Sequence, residues 1–530
     1  MKRREILKSL TVLPLGGSVL HAIGKTRSDR NATLAPWNKT NNIYESIGAT
    51  PLINARGTVT IIGASRVWPE VLEAMDAASQ HYVQLDELMD KVGDRLGELT
   101  GAEWGFVSAG ASAAVTAATA ACVTGGDPDK LWQVPNLAGM KDEVVITNYS
   151  RTAYDAGAKA VGVKMVEVSS PEELALALGP RTAMVLVLAG ARSEEGPLSI
   201  REIAKHTKPL NIPIFVDAAA EGLEVPNPHI TQGADLVAYS GGKYLRGPQC
   251  AGLLLGRKDL IQAARIAMAP HHGFGRGFKV GREEILGMLT AVEVWLKQDH
   301  KAIMQQWVAK LEHIAQPLKG ISGVKADIRM PRGRSNHSPS LRVEWDMQQI
   351  PLTGYDMEQL LWSSKPRIAV SGAGSFLPFP PNMQPNISIG SSQFNEGDEK
   401  IVAQRVAEIL KNPTPPNPVS TAAPTFNLTG QWDLEMHFSA SVVNQKLVFE
   451  QQNGDSNLQG THFASFGDRD LFGEMHGGDI LFRSSYTKEG VRLNFEFTGT
   501  VTSNSEMGGD VSLGEYGTAS WKAKRRDYKA

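Results

Sequence analysis

The sequence is short of cysteine, of net charge and of long apolar runs. Only Cys122 and Cys250 occur among 530 residues. Both sit among small apolar neighbours and read as buried thiols, so a disulfide framework is excluded. No Cys/His cluster has zinc spacing, and the adjacent His271 and His272 point apart in an extended segment, so no metal site is expected. Lys+Arg 54 against Asp+Glu 56 leaves a net charge of -2, with no basic field to attract nucleic acid. The Lys524-Arg525-Arg526 run reads as a solvated tail. No apolar stretch is long enough to give a stable membrane span. What remains is ordinary globular composition, 42% hydrophobic and 21% charged. The length calls for two or three domains.

The N-terminus departs from that pattern. Lys2-Arg3-Arg4-Glu5-Ile6-Leu7-Lys8 precedes a short apolar, glycine-containing segment from Leu10 to Ala22. A basic region before a short apolar one reads as an export signal, and the paired arginines resemble a twin-arginine leader. The expectation is export to the periplasm, with a leader over 1–24 and a polar linker over 25–43.

The chemistry is concentrated at three strand ends. Ile214-Phe215-Val216 is an apolar strand closed by Asp217. Ala234 to Tyr239 is a second strand, followed by Ser240-Gly241-Gly242-Lys243. A buried carboxylate and a glycine-flanked lysine at neighbouring strand ends are what a pyridoxal phosphate (PLP) site requires. The lysine forms the Schiff base with the aldehyde, and the carboxylate keeps the pyridinium nitrogen protonated. Upstream, Gly110-Ala111-Ser112 opens a small-residue helix whose free amides and positive dipole end suit a phosphate. Unbroken apolar runs such as Met184 to Leu188, separated by helices, predict a parallel sheet buried on both faces, with ligands at its carboxyl edge. After the strand Val144 to Thr147, Tyr149, Arg151 and Tyr154 are all candidates for the cofactor's ring face. The glycine-rich basic loop 270–282, with Arg276, suits an anion, and Arg367 is a candidate carboxylate clamp.

Domain limits follow from composition and periodicity. Residues 44–320 read as the large PLP-binding domain with an N-terminal arm, and 321–411 as a smaller α+β domain. Pro413, Pro415, Pro416, Pro418 and Pro424 mark a stiff linker over 412–425. Beyond it the apolar period becomes two, as in Trp432, Leu434, Met436 and Phe438, with turns at Asn453-Gly454, Gly477-Gly478 and Glu489-Gly490. This predicts an all-β barrel or sandwich over 426–524. A long helix is expected to run from Glu283 past Trp307.

Several motifs together carry a family resemblance across residues 44–411. They are Ile53-Asn54-Ala55-Arg56-Gly57-Thr58, Leu99-Thr100-Gly101-Ala102-Glu103, Arg151 with Tyr154-Asp155, Val216-Asp217-Ala218-Ala219-Ala220-Glu221, Ser240-Gly241-Gly242-Lys243 with Arg246-Gly247-Pro248-Gln249, and Lys279-Val280-Gly281-Arg282-Glu283-Glu284. In these the chain resembles the selenocysteine synthase-like group of fold-type I PLP enzymes, and within it the D-glucosaminate-6-phosphate ammonia-lyase-like members. The resemblance implies an aspartate aminotransferase-like α/β fold, with Lys243 as the catalytic lysine. It places Asp217, Gly110, Ala111, Ser112, Ser240, Ala219 and Arg151 around the cofactor. Arg246, Arg367 and Arg276 are the substrate-binding candidates, and a homodimer or larger homo-oligomer is implied. One departure stands out: Ser150 occupies a place where the pattern has histidine.

The expected activity is PLP-dependent elimination from an amino acid or amino-sugar acid, by α-proton removal with ammonia release. The alternatives are racemisation of an amino acid, selenium or sulfur transfer of the selenocysteine synthase type, and an exported binding protein on a degenerate PLP fold.

Overall fold

The protein is described by a computed structural model over residues 42–373, 384–416, 422–452, 454–488 and 491–526. The expected leader, all but the end of the 25–43 linker, Pro418, Asn453 and the Glu489-Gly490 turn lie outside the described residues. Three hydrophobic cores organise the chain.

The first eight strands are β1 (Leu52–Asn54), β2 (Trp104–Ser108), β3 (Glu143–Thr147), β4 (Lys164–Val168), β5 (Thr182–Leu188), β6 (Ile214–Asp217), β7 (Leu236–Ser240) and β8 (Gly252–Gly256). Seven of them form one sheet in the order β2-β8-β7-β6-β5-β3-β4. Strands β3 to β7 pair in parallel. Apart from the edge strand β4, they are almost wholly buried, as continuous apolar runs between two helical layers must be. The sheet is not parallel throughout: β8 runs antiparallel to both β2 and β7. A parallel return needs a crossover of roughly a dozen residues or more, usually a helix. The segment between β7 and β8 holds only turns, so the chain doubles back. On the sheet packs the helix Ala111–Thr124, whose alanines and threonines are buried almost all round. Gly252 permits the close approach, since a Cβ there would lie 2.4 Å from the Gly110 carbonyl carbon.

The second core belongs to a four-stranded antiparallel sheet. Its elements come from β9 (Val324–Arg329), β10 (Ser340–Trp345), β11 (Arg367–Ala369), β12 (Ser371–Ala373) and β13 (Asn386–Gly390), in the order β12-β13-β10-β9. Burial alternates along β9 and β10, as one covered face requires. β11 instead pairs in parallel with β1. Ile53 and Ala55 therefore join this second core, as do Leu311, Ile314 and Leu318, although all five lie inside the 44–320 segment assigned from sequence to the large domain. The long helix expected past Trp307 is two helices, Arg282–Lys297 and His300–Ala315. Asp299 separates them by capping the second, accepting the Lys301 and Ala302 amides at 3.1 and 3.0 Å.

The third core fills a closed antiparallel barrel of eight strands: β14 (Gly430–His437), β15 (Val442–Glu450), β16 (Asn457–Ala464), β17 (Gly467–His476), β18 (Asp479–Lys488), β19 (Val491–Ser503), β20 (Glu506–Ser512) and β21 (Thr518–Arg525). β14 closes it by pairing with both β15 and β21. Trp432, Phe449, Phe482, Phe497 and Trp521 point inward and fill the middle. One cysteine departs from expectation: Cys250 is exposed in the turn before β8. Cys122 is partly buried, and burial pushes its thiol up to about 12.

Candidate active site

The carboxyl edge of the large sheet gathers three features. Asp217 ends β6, only 8% exposed. Its backbone is held from both sides, by Ala189 N–H donating to its carbonyl and by the following Ala218 N–H donating to Ala238, each at 2.9 Å. Its Oδ1 accepts the Ala219 N–H at 3.1 Å. Burial raises the carboxyl above its usual range, against the opposing pull of that amide and of the Lys243 charge.

Lys243 follows β7 on the Ser240-Gly241-Gly242 turn. Both glycines are required sterically: a Cβ on Gly241 would lie 2.7 Å from the Ala251 carbonyl oxygen, and one on Gly242 would lie 2.8 Å from Gln249 Cα. Gly241 N–H donates to Ala251 at 2.9 Å, and Gly247 N–H donates to Gly241 at 2.8 Å, so the lysine sits on a fixed turn. Burial lowers the Lys243 ammonium below its ordinary value, and the Asp217 carboxylate opposes that shift. Each group thus feels the other's charge. The Lys243 ammonium also lies 6.0 Å from the centre of the Tyr154 ring.

Gly110 supplies the third feature. At φ 95 it caps the helix Ala111–Thr124 without any side-chain cap, so the first-turn amides face outward at the positive dipole end. Ser112, exposed on that turn, and Ser240, half-buried at the end of β7, stand beside it in the fold as further hydroxyl donors.

Beside Asp217 lies a small cleft walled by Ser150, Thr152, Tyr154, Asp155 and Leu188 as well. Of the three candidates for the ring face, Tyr154 lines this cleft. Tyr149 turns away and donates to the Leu198 carbonyl at 2.8 Å. Arg151 is held by Asp155 at 2.6 Å and Glu167 at 2.8 Å, so it positions Asp155 in the cleft wall. Ser150 is bonded to Thr147 Oγ1 at 2.6 Å and accepts the Leu188 N–H at 2.8 Å.

The substrate-binding candidates stand outside this cleft lining. Arg246 lies on the Trp68 ring at 3.7 Å and donates to the Arg66 carbonyl at 2.7 Å. Burial and the Arg66 charge push its guanidinium down to about 10. Arg367 donates to the Trp362 carbonyl at 3.1 Å and stacks over that ring. Arg276 is exposed on the glycine-rich loop.

Sequence reasoning missed two supports. The N-terminal arm binds the lysine turn: Ser65 N–H donates to Gly242 and Trp68 N–H to Arg246, each at 3.1 Å. Behind Asp217, Glu221 takes His229 Nε2 at 2.7 Å and the Ser335 hydroxyl at 3.0 Å. Ser335 comes from the segment between β9 and β10, so this buried group ties the two α/β cores together at the site. The only signal was a glutamate in an otherwise apolar Ala218-Ala219-Ala220-Glu221 stretch.

The residues fit PLP. The first-turn amides at Gly110 suit its phosphate, and the buried Asp217 carboxylate suits a protonated ring nitrogen. A lysine with a depressed pKa suits its aldehyde.

The comparisons agree with this fit. The family described as Cys/Met metabolism PLP-dependent enzyme matches residues 75–279. The D-glucosaminate-6-phosphate ammonia lyase of Salmonella typhimurium is 33% identical over 333 residues, covering 61% of this chain and 87% of that one. An L-seryl-tRNA(Sec) selenium transferase of Moorella thermoacetica is 28% identical over 256 residues, 42% of this chain and 52% of that one. The solved structure of a D-glucosaminate-6-phosphate ammonia-lyase superposes with a TM-score of 0.61 at 29% identity, covering 70% of this chain and 99% of that one. The large and small α/β domains and the Asp217–Lys243 site therefore make this chain a member of the fold-type I PLP-dependent enzymes, in the family of D-glucosaminate-6-phosphate ammonia lyase.

Proposed function

We propose that the protein is a PLP-dependent ammonia lyase acting on an amino acid or amino-sugar acid. The observation that carries this reading is the pairing of buried Asp217 with depressed Lys243 at the ends of adjacent strands. Bound PLP supplies an electron sink for the bond broken at the substrate's α-carbon. Asp217 holds the proton on the ring nitrogen. Lys243 Nζ would take the α-proton, a role favoured by burial, which disfavours its charged form. It can return that proton to the departing β-hydroxyl, which leaves as water. Hydrolysis of the remaining enamine then gives a 2-oxo acid and ammonia. Tyr154 and Leu188 line the cleft wall beside Asp217.

The test is a screen of amino acids and hexosaminate-type sugar acids for ammonia and 2-oxo acid, with wild type and Lys243→Ala compared. Racemisation without ammonia would replace the lyase reading with a racemase. Binding of seryl-tRNA in a filter assay would favour selenium or sulfur transfer, against which the near-neutral charge argues. Failure to take up PLP would remove the enzymatic reading altogether.

Two further readings belong to this proposal. The Lys2-to-Ala22 segment supports export to the periplasm, where unphosphorylated amino-sugar acids are the fitting substrates. Cell fractionation of wild type against an Arg3→Lys/Arg4→Lys variant tests it: unchanged periplasmic recovery refutes the twin-arginine route. A homodimer is expected for a site of this type, and light scattering of the purified protein decides that.

A further inference from the structure

The barrel buries a charge that no carboxylate among the described residues pairs with. Arg469 on β17 points inward and is 5% exposed. Its Nε and Nη1 are buried with no hydrogen-bond partner. Its neighbours in sequence, Asp468 and Asp470, are exposed on the opposite, outer face. Among the described residues, no carboxylate is paired with it. Its guanidinium lies 4.3 Å from the centre of the Phe495 ring and 5.7 Å from that of Tyr486. Such ring contacts offset only part of the desolvation of a buried cation.

The surroundings are built and polar. His462 lies opposite Arg469 on β16 and is fully buried. Its Nδ1 meets Ser484 Oγ at 2.8 Å and its Nε2 meets Gln445 Oε1 at 2.6 Å. Gln445 Oε1 accepts, so Nε2 carries a proton, and burial with the nearby Arg469 charge pushes the ring down to about 3, which leaves Nδ1 to accept from Ser484. The imidazole is therefore neutral and brings no second charge. Below this layer the barrel is closed by Phe482 and Phe497, stacked at 4.4 Å, with Trp521 edge-on to both. The polar layer thus forms the floor at one mouth, beside the β16–β17 turn. The interior of an eight-stranded barrel is filled by side chains or holds one small ligand.

We propose that this mouth binds a small organic carboxylate, held by the Arg469 guanidinium and flanked by the Phe495 and Tyr486 rings. The planar fork of arginine matches a carboxylate, and the rings favour an apolar or aromatic body behind it. The site is independent of the catalytic reading, since it shares no residue with it.

The test uses the full-length holoenzyme, with benzoate, its neutral analogue benzamide, and inorganic phosphate as probes. Benzoate is expected to bind by calorimetry and to raise the barrel's unfolding temperature by about 5 °C near saturation. Benzamide and phosphate are expected to do neither. Arg469→Met should weaken benzoate binding at least tenfold, leave the PLP absorbance unchanged and raise the melting temperature of the ligand-free barrel. If that variant does not fold, Arg469→Lys keeps the charge without the fork and should show the same tenfold loss. The proposal is overturned if benzoate does not bind, if benzamide binds equally well, if phosphate alone binds, or if neither arginine variant changes benzoate binding.

Discussion

The sheet edge and the barrel mouth both bury charge, and they do so in opposite ways. At the sheet edge Asp217 and Lys243 oppose each other's burial, so each charged form is partly compensated within the protein. In the barrel Arg469 has aromatic rings and a neutral imidazole for neighbours, and its charge is left to something outside the described residues. The first arrangement is prepared to hold one proton and to move another. The second is prepared to hold an anion and do no chemistry. A buried titratable residue is therefore informative through its partners, more than through its burial.

The largest test of that contrast is Lys243→Ala. It removes the base and the attachment point together, and turnover should fall by about 10^3-fold or more. The visible absorbance of the PLP complex should disappear with it. Retained turnover would mean that the proton moves elsewhere, and the contrast would fail at its stronger end. Asp217→Asn is the next step down. It keeps the shape and the Ala219 contact but cannot hold the ring proton by charge, so kcat should fall on the order of 10^2-fold while the protein still binds PLP. A barrel change should do none of this. Phe482→Ala removes a ring from the stacked core and should cost the barrel about 3–5 kcal/mol in denaturant unfolding. The PLP absorbance should stay as in wild type, and any change in it would show that the two regions are coupled.

The two regions also differed in how far they could be read from sequence. Asp217, Lys243 and the Gly110 turn were legible because each closes an apolar run, and the ends of buried parallel strands lie along one edge. The reversal of β8 was not legible, because nothing in an apolar run states its direction; the short Tyr244-to-Cys250 connection was the clue. The pairing of Ile53 with Ile368 joins residues far apart in the chain, which periodicity cannot see. In the barrel, alternation announced the strands, yet it assigns Arg469 and His462 to the inner face only once the register is known. Gly241 and Gly242 marked a turn in the sequence, and the reason for them is a close approach by Ala251 and Gln249.

The smallest effects expected are those of pH, and they separate the regions by sign and by window. Burial depresses Lys243 below 10.5, and its neutral amine is the active form. Activity should therefore rise with pH through that lowered pKa and be reached below the ordinary lysine range. In the Asp217→Asn variant the carboxylate that opposes the shift is gone, so this limb should move to still lower pH. In the barrel, burial first and Arg469 second hold His462 down at about 3, against 6.5 when exposed. The unfolded chain then binds a proton at His462 that the folded barrel refuses. Barrel stability should be complete above about pH 6.5, decline as pH falls, and lose no more from this group below about 3. His462→Gln should flatten that decline without touching the activity profile. If it instead shifts the activity limb, His462 is coupled to Lys243, and the separation between a reacting pair and a holding cation does not stand.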